Sequence, residues 1–274
     1  MLGKLLKYDF RSMFKQFAFI WPAALVLGFI NRFTLTIHPE PVTNAMVREP
    51  GGVLASSAEV AAILAFVCVM VAMFVVVLIF VVQRFYRGLL GDEGYLMHTL
   101  PVKTWELIAS KLICAIVVTV ISIAVAVLAV FLLVPFTIED LWDLFPGMMK
   151  ALFHLLRPGD YLFIFEFLLL MTVGGASSYL HIYLAMALGH LASKHRVAMS
   201  VIAYVGINVA GTVLLNVLSS FRWLWNFDIQ LDTIFGTRGA IHLSFWLLIA
   251  ICAAVDAVYF VCTNYVLKHH LNLE

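Results

Sequence analysis

The sequence is poor in charged residues. Only 12% of its 274 residues are charged and 64% are apolar, whereas a typical soluble domain has about 25% charged and roughly half apolar residues. A water-soluble fold needs charged side chains to cover its surface, so this composition excludes an ordinary soluble domain. The formal net charge is +1, which gives no electrostatic reason to expect nucleic acid as a partner.

The sequence also lacks the short motifs that mark common catalytic sites. It contains no G-x-x-x-x-G-K-[S/T] loop to cradle nucleotide phosphates, no G-x-S-x-G motif and no H-E-x-x-H motif. We therefore expect a chain that is not an enzyme, has no catalytic residue, and binds no metal or cofactor of its own.

Cysteine is scarce as well. No two of the four cysteines have the spacing of metal ligands, and none lies in a polar loop where a disulfide would be expected. We interpret them as small apolar side chains within the membrane. They are Cys68, Cys114, Cys252 and Cys262.

Long apolar runs are what the sequence does contain. A bilayer core about 30 Å thick needs roughly 20 apolar residues in a helix, and the runs are too uniform for the alternating strands of a barrel. The sequence predicts an all-α, polytopic membrane helical bundle that forms a single domain over 1–274. Its six transmembrane helices are predicted at 17–37, 58–83, 106–134, 161–191, 197–218 and 242–266.

The basic residues between these spans predict the orientation. Eleven Lys and Arg residues lie on the side that holds both termini and the loop at 84–111, and six lie on the other side. Because Lys and Arg are enriched in cytoplasmic loops, we expect both termini to be cytoplasmic.

Two kinds of amphipathic segment are predicted at the membrane surfaces. Over residues 2–16, apolar side chains recur every three or four positions and four basic residues occupy the other face, which is typical of a helix lying in the interface. The alternative is a soluble helix docked on protein. On the outer side, 135–160 and 219–241 are aromatic-rich and suit the headgroup level.

The longest cytoplasmic loop, 84–112, has a pattern of its own. Gly91 and Gly94 bracket two acidic residues, a short apolar patch follows, and Thr104 is a plausible N-cap with Glu106 in the first helical turn. The pattern predicts a short helix, a turn and a capped return into the membrane. It suits contact with a partner protein, and the alternative is a hairpin that only connects two spans.

Two carboxylates fall within predicted spans. Intramembrane charge is costly and therefore a functional hypothesis. Glu166 is expected to reach water from near the outer end of its helix, and the deeper Asp256 is expected to face protein or a wet cavity. Both are candidates for a translocation path or an intramembrane pair. The small residues at 174–178 predict a helix-packing seam, with a substrate-lining role as the alternative.

Three segments resemble a known family. MLGKLLKYDFRSMF at the N-terminus, QRFYRGLLGDEGYLMHTLPVKTWELIASKL in the long loop and KHHLNLE at the C-terminus are similar to bacterial ATP-binding-cassette permeases of the type-2 exporter group. The resemblance covers the whole chain in length, span number and loop position, and the loop is its specific part.

This resemblance implies a transmembrane subunit of the bacterial inner membrane that forms a homodimer or pairs with a second permease. Two copies of a separate ATPase would bind ATP and Mg²⁺ in place of this chain. The family's coupling helix would fall at about Gly88–Met97. The implied contacts with the ATPase are Gly91, Asp92, Glu93, Gly94, Tyr95 and Leu96.

Two functions of other classes stay open at the level of sequence. One is a secondary transporter driven by an ion gradient, and the other is a non-transporting membrane scaffold or sensor subunit. An adjacent gene for an ATP-binding-cassette ATPase would favour the exporter. The substrate cannot be inferred from the sequence.

Overall fold

A computed structural model describes residues 2–37, 52–91, 94, 102–133, 160–192, 194–219 and 222–269. Nearly all of them belong to helices, and no strand occurs in these ranges. The helices are α1 (Leu2–Ile37), α2 (Gly52–Phe85), α3 (Thr104–Leu133), α4 (Asp160–Gly189), α5 (Arg196–Ser219) and α6 (Arg222–His269). A π-helical segment, Tyr86–Leu90, continues α2 by one wide turn.

Each helix contains a stretch that is long and apolar enough to cross a bilayer. Within the described residues the six stretches are Leu5–Arg32, Val60–Leu90, Thr104–Leu133, Tyr161–Gly189, Arg196–Leu214 and Gly239–His269. The predicted all-α fold and the six predicted spans are confirmed. The chain is a multi-pass membrane protein.

The first helix differs from prediction in its continuity. The segment 2–16, predicted as an interfacial helix, is the beginning of α1, and one helix runs through it into the first span. Pro22 lies inside this helix. Proline removes one backbone donor, but transmembrane helices tolerate it. No glycine or turn sequence lies around residue 16 to end the helix there.

Two other boundaries also differ. Helical backbone after α2 continues to Leu90, beyond the predicted end of the second span at 83, because a helix ends where its backbone bonds end and not where apolar residues end. Helix α6 has 48 residues, a length of about 70 Å. Most of the predicted outer segment 219–241 is therefore the N-terminal part of α6.

One compact unit of the chain comprises Gly3–Val81 and Val117–Leu152. Its helices approach closely at Gly28, where an added Cβ would lie 2.7 Å from the carbonyl oxygen of Ala129. The indole N–H of Trp21 donates to Ser122 Oγ over 3.1 Å. Glycine thus lets α1 and α3 meet backbone to backbone, and a polar bond fixes the pair.

The other compact unit comprises Met1–Leu2, Val82–Ile116 and Phe153–Glu274. Here α4 packs against both α5 and α6. No residue is buried in the span Arg196–Leu214 of α5, so this helix packs less closely against the rest of the chain than the other spans do. None of the four cysteines, all of them in described residues, is in a disulfide.

Candidate functional site

The segment after α2 is the first part of the candidate site. Its backbone changes from α- to π-helix at Tyr86–Leu90, and the N–H of Gly91 donates to the carbonyl oxygen of Tyr86 over 2.8 Å. This bond spans five residues and closes the wide turn. A π-turn is one of the ways in which the C-terminus of a helix is closed.

Glycine makes the following turn compact. The N–H of Gly94 donates to the carbonyl oxygen of Gly91 over 2.8 Å. A Cβ on Gly94 would lie 2.6 Å from the carbonyl oxygen of Leu89, which only glycine avoids. The side chains of Leu89 and Leu90 are buried. The chain therefore folds back on itself here with a defined geometry.

The predicted contact residues are only partly described. Gly91 and Gly94 lie in this turn. Asp92, Glu93, Tyr95 and Leu96 lie outside the described residues, as does most of the second half of the coupling helix predicted at 88–97. A helix returns after the loop as predicted, since α3 begins at Thr104 and carries Glu106 in its first turn; the N-cap role of Thr104 stays a prediction.

Aromatic contacts attach this turn to α4. The rings of Phe85 and Tyr183 stack with centroids 3.9 Å apart and planes at 9°, and both side chains are buried. Tyr86 packs edge-on against His190 with centroids 5.9 Å apart. Stacked and edge-on pairs stabilise by about 1 kcal/mol each beyond burial. We name Phe85–Gly94, held in this way, the α2 turn.

The neighbouring turn between α4 and α5 is equally tight. A Cβ on Gly189 would overlap the backbone of Ser200 and lie 2.5 Å from its Cα. His195 adopts a positive φ of 56°, which histidine tolerates better than most residues. Arg196 donates to His190 Nε2 over 3.3 Å. Burial and the Arg196 cation lower the pKa of His190, so its neutral form, which can accept this bond, is favoured.

Polar pairs between α4 and α6 form the second part of the candidate site. Glu166 Oε2 lies 2.7 Å from His242 Nδ1. Glu166 is fully buried, which corrects the expectation that it reaches water. The carboxylate faces α6, where His242 is its partner.

Deeper in the same helix pair, Ser177 donates a hydrogen bond to Asp256 Oδ1. Four residues further along α4, the His181 ring stacks on Tyr204 of α5 at 4.6 Å and on Tyr259 of α6 at 5.5 Å. We name the layers Glu166–His242, Ser177–Asp256 and His181–Tyr259 the polar seam. The layers follow one another in the same order along both helices, so α4 and α6 run parallel.

The small residues of α4 behave differently from prediction. An added Cβ on Gly174 or Gly175 would meet no atom within 4 Å, so the predicted packing seam is wrong for these two positions within the described chain. Ser177, from the same run, instead contributes a hydroxyl to the polar seam. No group of three or more His, Cys, Asp and Glu side chains among the described residues is placed to hold a metal ion.

Several partners at the site were not predicted from sequence. The pairing of His242 with Glu166 could have been predicted, because both residues lie near the start of spans that run in the same direction. The stacks on Tyr183 and His181 have no such signal, since aromatic residues are frequent in every span. Comparison with family models, curated proteins and solved structures finds no match to the chain.

Proposed function

We propose that the chain is the transmembrane permease subunit of an ATP-binding-cassette exporter in a bacterial cell membrane. A separate subunit hydrolyses ATP and contacts this chain at Gly91–Leu96. The proposal rests on the resemblance of the long loop to type-2 exporters and on the six spans of the fold. The observation that supports it most directly is the α2 turn, whose compact geometry suits a partner contact better than a flexible connection does.

The contacts of the α2 turn suggest how a push on it would be transmitted. Phe85 is stacked on Tyr183 of α4. On the side of α3, a Cβ on Gly88 would lie 3.4 Å from Lys111 Cε. A partner that closes on ATP and presses on Gly91–Leu96 would therefore move the adjoining ends of α2, α3 and α4 together. In the proposed exporter, the second and third spans carry this movement to the interface with a second permease subunit.

Co-purification tests the proposed contact. The tagged chain, isolated from native membranes in mild detergent, should bring an ATP-binding-cassette ATPase with it. The double variant Glu93→Ala/Tyr95→Ala should lose most of this ATPase, because these side chains would provide the charged and aromatic contacts. Lys103→Ala, at an exposed position of the same loop, is the matched control and should retain it.

A second variant separates the shape of the turn from its side chains. Gly94→Val leaves Glu93 and Tyr95 in place but forces a side chain against the Leu89 carbonyl. It should also weaken ATPase recovery if the turn is the docking element. Undiminished ATPase recovery with both the double variant and Gly94→Val would refute the assigned contact.

The polar seam favours one rival function, a secondary transporter driven by an ion gradient. Glu166 and Asp256 lie at two levels of the same helix pair, each beside a polar partner, and intramembrane carboxylates occur in proton and ion pathways. The rival predicts that no ATPase accompanies the chain and that no ATPase gene adjoins its gene. The co-purification experiment therefore decides between the two functions.

A further inference from the structure

A cavity of about 350 Å³ opens between three helical elements of the unit that contains α4, α5 and α6. The end of α2 and its π-helical continuation provide one wall, and α4 and α5 provide the others. The volume lies near the lower end of the range for small-molecule sites. It is large enough for part of an amphiphile and too small for a whole phospholipid.

The cavity lies at one end of the membrane spans. Its walls come from the end of the span Val60–Leu90, the end of Tyr161–Gly189 and the start of Arg196–Leu214. On α5 the lining extends from Val197 to Tyr204, which is about 10 Å along the helix axis. The cavity therefore begins at the level of the headgroups and reaches into the hydrocarbon region.

The lining of the cavity is almost entirely apolar. Val82, Met186 and Val201 are among the apolar lining residues. Gln83, near the end of α2, and Arg87, in the π-helical segment, also line the cavity. None of the described residues that line the cavity is acidic. Arg87 is exposed, and the described residues place no carboxylate in an ion pair with it.

More basic residues follow in the adjoining turn. Lys194 is exposed, and Arg196 is the first residue of α5. The positive charge of Arg87 favours an anionic headgroup over a zwitterionic one, and arginine binds phosphate through several donors. Basic pockets between transmembrane helices are typical sites for anionic lipid headgroups.

We propose that this cavity binds one anionic phospholipid, with its phosphate at Arg87 and part of one acyl chain between α2, α4 and α5. The lipid fills the gap beside Tyr86, which also packs on His190. Occupancy therefore stabilises the α2 turn against α4 and α5. This inference concerns the described cavity alone and does not depend on the proposed transport function.

Native mass spectrometry of the purified full chain tests the lipid preference. The chain is delipidated in detergent and titrated with phosphatidylglycerol or with phosphatidylcholine of the same acyl chains. Phosphatidylglycerol should bind more tightly by about tenfold, because both lipids offer a phosphate but only phosphatidylcholine also carries a choline cation, which basic side chains repel, and it should raise the unfolding temperature. Inorganic phosphate alone should do neither, because it has no acyl chain for the apolar walls.

Two variants assign the preference to this cavity. Arg87→Gln should remove most of the preference for phosphatidylglycerol over phosphatidylcholine. Val201→Trp should fill the cavity and abolish the thermal stabilisation by phosphatidylglycerol. Val213→Trp is the matched control, because Val201 and Val213 lie on the same helix with exposures of 59% and 56%, and Val213 does not line the cavity.

Arg87→Gln changes an exposed side chain and does not disturb packing, so it tests the proposal even if Val201→Trp fails to fold. Equal binding of the two lipids by the unmodified chain, or an unchanged preference in Arg87→Gln, would overturn the proposal. Stabilisation by inorganic phosphate alone would show an anion site without a lipid chain, which also overturns it.

Discussion

Glu166 is a buried acidic residue that depends on a single hydrogen-bond partner. Its carboxyl group is fully buried, and Oε1 has no hydrogen-bond partner in the described structure, so His242 alone satisfies the group through Oε2. A buried carboxylate that loses its last partner costs more than a pair replaced by apolar side chains. Removing only His242 should therefore destabilise the protein more than replacing both members of the pair by apolar residues.

We predict that His242→Leu destabilises the protein by about 1–3 kcal/mol, and that Glu166→Leu/His242→Leu restores part of this loss. Thermal unfolding in detergent measures both. Ser244→Leu, at an exposed position two residues along α6, is the control for added apolar surface and should leave the unfolding temperature nearly unchanged. A double variant less stable than His242→Leu would contradict this account of the pair.

The two intramembrane carboxylates were predicted from the sequence, but their partners were not. Glu166 and Asp256 stand out because charges within apolar runs are rare. The pairing with His242 and Ser177 depends on which faces of α4 and α6 meet, and helices that are apolar all round give no amphipathic pattern to fix that rotation. The expectation that Glu166 reaches water failed for the same reason, since it considered depth and not rotation.

At the scale of helices, two glycines with opposite surroundings provide a matched comparison. Gly189 at the end of α4 is so close to α5 that a Cβ would overlap Ser200, whereas a Cβ on Gly206 of α5 would meet no atom within 4 Å. The close approach at Gly189 therefore depends on the missing side chain, while at Gly206 the glycine only costs helix propensity.

We predict that Gly189→Ala destabilises by about 1–3 kcal/mol through overpacking, while Gly206→Ala is neutral or stabilises by up to about 1 kcal/mol. Thermal unfolding of the two variants in the same detergent gives the comparison. Gly189→Ala combined with Ser200→Gly should not recover fully, because the overlap involves Ser200 backbone atoms as well as its hydroxyl. Equal effects of the two single variants would show that the helices do not meet at Gly189.

The positions of the helices were predictable because hydropathy over about 20 residues depends only on the bilayer thickness. The ends of the helices were less predictable. Gln83 and Arg84 indicate the end of an apolar run, yet the backbone remains helical through the buried Leu90. The π-turn has no sequence signature of its own. The two glycines of the loop predict a tight turn at Gly94, but they do not predict the close approach of Gly94 to Leu89.

For the whole molecule, the sequence predicts an orientation through its basic residues. An even number of spans returns the chain to the side on which it starts, and eleven of the 17 Lys and Arg residues are assigned to that side. Because such residues are retained in the cytoplasm during insertion, we predict that both termini are cytoplasmic. Arg87, which lines the cavity, would then face the cytoplasmic leaflet, where anionic lipids attract basic residues.

Reporter fusions measure this orientation. A fluorescent protein that matures only in the cytoplasm should fluoresce at either terminus, and a phosphatase active only outside the cytoplasm should be inactive at the C-terminus. The same phosphatase fused after residue 45, between α1 and α2, should be active and serves as the matched control. Activity at the C-terminus with a fluorescent N-terminus would imply an odd number of crossings. Phosphatase activity at the C-terminus with no fluorescence at either terminus would instead imply six crossings in the opposite direction, with the cavity and Arg87 on the outer surface.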